Sequence, residues 1–151
     1  MCTRATLALA MTRMNYKTLA SLIFFLAVGI NVNGQIRFDG LYETECDYED
    51  DDEGEQNYLR FYQNGKVISV GTDCEGEASE LLEWFTIEDK KGSLGEYYIN
   101  GSNIKFTTTG SVGSVEYKGK ISSTGSLQLK SKSLINGYKG KEDYKFVEIT
   151  K

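Results

Sequence analysis

The chain has no histidine, no proline, a single tryptophan and only three cysteines in 151 residues. Without histidine the commonest general base and metal ligand is gone, and no Ser-His-Asp or Cys-His nucleophile can be built. So few cysteines cannot close a structural zinc site alone. No glycine-rich run has phosphate-loop spacing, because Gly110 and Gly113 are parted by Ser111 and Val112 with no Lys-Ser/Thr after them. Basic residues are in the minority, 17 Lys+Arg against 22 Asp+Glu, a net charge of -5. That balance makes a poor partner for nucleic acid or anionic lipid. Carboxylate pairs such as Glu43/Glu45 and Glu142/Asp143 are expected by chance among 22 acids, so the chain reads as a non-enzyme without cofactor. An apolar fraction of 40% over this length suits one folded domain rather than disorder.

No hydrophobic run is long enough for a permanent membrane span. Leu19 to Ile30 is a mainly apolar run of 12 residues, about 18 Å as a helix against a hydrocarbon core of about 30 Å. Arg4, Arg13 and Lys17 precede it, and no acid occurs before Asp39. A basic start, a short apolar core and small residues after it describe a cleaved secretory signal over residues 1–34. Met14-Asn15-Tyr16-Lys17 makes a second good start, in which case residues 1–13 are an over-extended gene start. Cleavage near Gly34 leaves a mature domain of residues 35–151, secreted or periplasmic.

On that mature chain the charge is -8 and unevenly spread. Residues 35–89 hold 17 acids and three bases; residues 90–151 hold five acids and 11 bases. Six of the seven residues from Glu49 to Glu55 are acidic, the pattern of a solvated loop. Calcium is the sharper reading, with Glu49, Asp51 and Glu53 at positions one, three and five if Gly54 is position six. Arg60 then falls where a bidentate Glu is required, so no EF-hand forms and only a looser calcium site remains. Lys130, Lys132, Lys139, Lys141 and Lys145 form a basic patch that either balances this loop or meets an acidic partner. Cys2 leaves with the signal. The pair left behind, Cys46 and Cys74, reads as a disulfide in an exported chain.

The rest is short strands and tight turns. Asn64-Gly65 between Tyr58–Gln63 and Lys66–Val70 predicts a hairpin with a two-residue loop, setting Phe61 opposite Ile68 and Leu59 opposite Val70. Gly101-Ser102 sets Ile99 opposite Ile104 and Tyr97 opposite Phe106. Val115–Ile121 and Ser126–Ser133 join through a three-residue loop with a left-handed Gly125, so that Ile121 meets Leu127. With 38–44 at the start and 144–149 at the end, the count is eight strands. Ala78, Leu81, Leu82 and Phe85 fall at helical spacing within 77–85, one short helix between the third and fourth strands. Eight strands joined in sequence suggest an all-β, antiparallel up-and-down barrel, with a two-sheet sandwich as the alternative.

Gly40-Leu41-Tyr42, Leu59-Arg60-Phe61, Asn64-Gly65-Lys66-Val67, Trp84-Phe85, Gly95-Glu96-Tyr97, Asn103-Ile104-Lys105-Phe106, Gly119-Lys120-Ile121 and Ser133-Leu134-Ile135-Asn136-Gly137-Tyr138 occur in that order. The arrangement resembles the small exported lipocalin-like barrels of Bacteroidota over most of residues 38–149. Tyr42 stands where lipocalins proper carry Trp. The resemblance implies a fold and a compartment, not a ligand. Ten tyrosines are many for so small a chain, and aromatic side chains can line or fill such a barrel. Leu59, Phe61, Ile68, Tyr97, Ile99 and Phe106 are the expected interior, with Trp84 and Phe85 over one end. Two functions follow. One is a binding module holding a small apolar or amphipathic ligand inside. The other is a packed barrel that binds a protein or glycan through its surface, with Tyr58, Arg60 and Tyr62 facing outward.

Overall fold

A computed structural model describes residues 34–48, 54–88 and 91–149. The expected signal segment and the calcium candidates Glu49, Asp51 and Glu53 lie outside the described residues. The strands are β1 Gly40–Glu43, β2 Gln56–Phe61, β3 Lys66–Thr72, β4 Ser93–Asn100, β5 Asn103–Gly110, β6 Gly113–Ile121, β7 Leu127–Ser133 and β8 Lys139–Glu148. Each pairs antiparallel with the next, and β8 returns to β1, closing a barrel in sequence order. The sandwich alternative is thereby excluded. Closure gives every strand a neighbour on both sides.

Period-two alternation decides what fills the barrel. Tyr42, Leu59, Phe61, Val67, Ile104, Phe106, Tyr117, Ile121, Leu127, Leu129 and Tyr144 point inward and form one buried cluster. Residues 34–39 cross the end of the barrel that carries the turns after β2, β4 and β6. There Ile36 joins the interior cluster at 4% exposure, and the Arg37 backbone N–H donates to the Tyr42 hydroxyl at 2.8 Å. Gly34 lies so close to the Ser122 carbonyl that a Cβ would come within 1.7 Å of its oxygen, so only glycine fits.

A second apolar cluster lies outside the barrel. Leu41, Tyr58, Ile68 and Val70 pack beneath Leu81 and Phe85, with Trp84, Ile87 and Leu94 at its margin. The segment after β3 carries a 3-10 turn, Glu80–Phe85, which brings Leu81 and Phe85 onto the outer face of β2 and β3. The helix expected over 77–85 is this shorter piece. Cys74 opens the segment and is disulfide-bonded to Cys46 in the β1–β2 connection.

The first hairpin departs from its expected register. The Tyr62 N–H donates to the Lys66 carbonyl and the Gly65 N–H to the Tyr62 carbonyl, which makes Gln63-Asn64-Gly65 a three-residue loop with Gly65 at φ 83°. Phe61 therefore pairs with Val67, Arg60 with Ile68, Leu59 with Ser69 and Tyr58 with Val70. A shift of one residue turns every side chain of β3 over. Ile68 and Val70 face out under the 3-10 turn, not in. The other two hairpins hold their expected registers, Tyr97 with Phe106, Ile99 with Ile104, and Ile121 with Leu127.

Candidate functional site: the outer face of β4 to β8

The expected interior residues separate into two groups. Leu59, Phe61 and Phe106 are buried inside, and Tyr97 packs against them. Ile68 and Trp84 belong to the outer cluster, so neither lines the interior, and Trp84 and Phe85 do not close an end. Ile99 is 43% exposed although its partner Ile104 is buried. The cause is overhang: pairing of β3 with β4 stops at Lys66–Glu96 and the Tyr97 N–H makes a last bond to the Gly65 carbonyl, so Tyr98 to Asn100 project beyond their neighbour.

Inside, the rings touch one another and leave the tyrosine hydroxyls bonded. Phe61 meets Tyr42, Tyr97 and Phe106 edge-on at centroid distances of 5.5, 5.1 and 5.6 Å, and Phe106 stacks on Tyr117 at 4.6 Å. The Tyr97 hydroxyl donates to the Tyr62 carbonyl at 2.9 Å. The Tyr144 hydroxyl donates to Glu142, which also accepts from the Ser131 hydroxyl at 2.6 Å. Tyr58 donates to Gln56 at 2.7 Å, and Tyr62 donates to the Phe85 carbonyl. Both face outward as expected, yet the 3-10 segment covers them: Tyr58 is 1% exposed, so this face offers no free tyrosine-rich surface. The tyrosine excess is largely core with anchored hydroxyls.

Burial pushes the Tyr42, Tyr117 and Tyr144 hydroxyls above the usual tyrosine range, and the nearby Glu142 carboxylate adds to the rise at Tyr117 and Tyr144. An unfolded tyrosine loses its proton near pH 10 while these folded ones keep theirs, so the folded state binds more protons above that pH. Stability is then full below about pH 10 and falls as pH rises beyond it. Alkaline titration should show tyrosinate absorbance from these three rings appearing together with loss of the fold, not before it.

The outer face has two unlike halves. Over β1 to β3 it is apolar and covered. Over β4 to β8 it is bare and basic. Strand registers set Tyr98 beside Lys105, Lys105 beside Lys118, Lys118 beside Lys130 and Lys130 beside Lys141. These five side chains form one row across five strands, all exposed. A second row runs Asn100, Asn103, Lys120, Gln128 and Asp143; a third runs Glu96, Thr107, Glu116, Lys132 and Lys139. The first two rows line a groove of about 830 Å3. Among the described residues no carboxylate lies within ion-pairing distance of Lys105, Lys118, Lys120, Lys130, Lys132, Lys139 or Lys141. Of the expected basic patch, only Lys145 meets an acid among the described residues, Glu45.

Four of the seven lysines on this face are visible in the sequence: Lys130, Lys132, Lys139 and Lys141 stand out by alternation within 12 residues. Lys105, Lys118, Lys120 and Tyr98 did not, because only pairing across strands brings them alongside. Like charges placed directly opposite destabilise a sheet, so the row costs stability where it stands. Among the described residues no group of His, Cys, Asp or Glu is arranged to hold a metal ion, and no helix is long and apolar enough to cross a membrane. Compared with known proteins, the chain matches no family model, no curated protein and no solved structure.

Proposed function

We propose that this protein is an exported, non-enzymatic binding module of lipocalin-like type that works through the outer face of β4 to β8, its barrel interior serving as packed core. One observation carries the reading. The rings of Tyr42, Phe61, Phe106 and Tyr117, in contact with one another, occupy the volume in which a small apolar ligand would sit. Export is supported by the Cys46–Cys74 bond, since disulfides persist in oxidising compartments. The absence of histidine supports a binding role over catalysis.

The test is titration of the folded protein with a fluorescent long-chain fatty acid and with an anilinonaphthalene dye. Neither should bind saturably at one site. Saturable binding of either probe that Phe106→Leu weakens, with the fold intact, would return the function to the interior.

A further inference from the structure

Resting on that reading, we propose that the groove over β4 to β8 binds a single chain of an acidic polysaccharide, laid across the strands along Lys105, Lys118, Lys130 and Lys141. Geometry comes first. Neighbouring strands lie about 4.8 Å apart, so directly paired lysines present one positive charge at each such step. That step is close to the length of one sugar ring along an extended polysaccharide. A chain with a carboxylate or sulfate on successive rings therefore meets one lysine per ring.

The rest of the groove suits sugars as well. Tyr98 ends the row at 62% exposure, with the Lys105 ammonium 5.8 Å from its ring centre. Its open face is a platform for the axial C–H bonds of a pyranose. Alongside the lysines run Asn100, Asn103, Gln128 and Asp143, whose amides can donate to and accept from ring hydroxyls and whose carboxylate can accept from them. Single-stranded nucleic acid is bound differently, through several aromatic platforms for successive bases, and this groove has one. The disulfide also fits an extracytoplasmic setting, where surface polyanions are glycans.

The unpaired lysines explain themselves on this view. They repel one another in the free protein and are relieved when anions settle between them. A groove lined by five lysines against two carboxylates, Glu142 and Asp143, also keeps a net positive field and draws a polyanion to it. Binding must weaken as salt rises, since both the attraction and the counterions released by a polyelectrolyte depend on it.

The experiment uses the folded full domain titrated with a short oligogalacturonate, against a neutral glucan oligomer of equal length and against oligo-dT. Oligogalacturonate should bind and the glucan should not. The double variant Lys118→Gln with Lys130→Gln should weaken binding by about tenfold, as loss of two exposed ion pairs implies, and flatten its salt dependence. The same variant should melt roughly 2–5 °C higher, because two like charges leave the row. That rise shows that lost binding is not lost folding, and Lys105→Gln with Lys141→Gln should repeat both changes.

Absence of oligogalacturonate binding, equal binding by the double variant, or tighter binding of oligo-dT would each overturn the assignment. So would a salt-sensitive dimer that oligogalacturonate does not dissociate, since the occupant would then be the acidic segment of a second copy. These failures leave the packed interior untouched. Saturable fatty-acid binding that the lysine variants do not change would instead defeat the outer-face reading itself.

Discussion

Replacing Phe61 by Ala should lower the unfolding free energy by about 3–5 kcal/mol. Phe61 is 1% exposed and touches three aromatic rings edge-on, each such contact contributing about 0.5–1.5 kcal/mol beyond simple burial. The site has little room to collapse, since its neighbours lie on separate strands of a closed barrel and are themselves pinned. Tyr97, for one, is tied to the Tyr62 carbonyl. A domain of this size has roughly 5–15 kcal/mol in all, so Phe61→Ala takes a large share. Urea unfolding followed by tryptophan fluorescence measures it, with the midpoint moving sharply lower. The matching control is Tyr98→Ala on the exposed row, which should stay within about 0.5 kcal/mol of the parent. A cost below about 1 kcal/mol for Phe61→Ala would mean that the interior is loosely filled, and the outer-face function would lose its main support.

Loss of the Cys46–Cys74 bond is the second large effect. The bond spans a sequence separation of 28, and closing a loop of that length contributes about 3.6 kcal/mol in the chain-entropy account. Cys46→Ser with Cys74→Ser should therefore reduce stability by about 2–4 kcal/mol and lower the melting temperature accordingly. The loss should be uneven. Cys74 begins the segment that lays Leu81 and Phe85 over Tyr58, Ile68 and Val70, so amide exchange should quicken there and in the connection after β1. The hairpins from β5 to β8, held by continuous pairing, should keep their protection at neutral pH. A uniform loss across the sheet would show instead that the barrel and its outer cover unfold as one unit.

Both of these substitutions remove interactions that stabilise the fold, whereas the directly paired lysines oppose it. Four ammonium groups side by side, none of them within ion-pairing distance of a carboxylate among the described residues, are the feature of this barrel that folding alone does not call for. The covered half of the outer surface shows the contrast. There, apolar side chains on β2 and β3 are matched by apolar side chains arriving from the 3-10 turn.

Much of this protein was legible in the chain alone, and the parts that were not share a cause. Eight strands, their sequential order, the disulfide, the loop at Ser123-Thr124-Gly125 and the pairing of Tyr97 with Phe106 follow from local rules. Turn residues set loop length, and strict alternation sets the face. Where β3 reads Val67-Ile68-Ser69-Val70, both faces carry apolar residues, so alternation does not choose between registers. Asn64-Gly65 suits either loop, because Gly65 takes a positive φ in both. A two-residue loop of type I′ also needs a positive φ at Asn64, and among the described residues only glycines have one.

Tertiary structure decided the rest. Ile68 and Val70 face outward because Leu81 and Phe85 give them an apolar cover there, and that cover comes from a segment more than ten residues further along the chain. Ile99 is exposed because β3 ends short of it, although its own hairpin is in register. The first half of β8 escaped notice because its inward residues are Gly140 and Glu142, beside a polar part of the interior where Glu142 takes the Tyr144 and Ser131 hydroxyls. The lysine row is the clearest case. Lys105, Lys118, Lys130 and Lys141 lie 11 to 13 residues apart in sequence, a spacing without local meaning. Barrel closure and register, both properties of strands already paired, place them one strand apart in a single row.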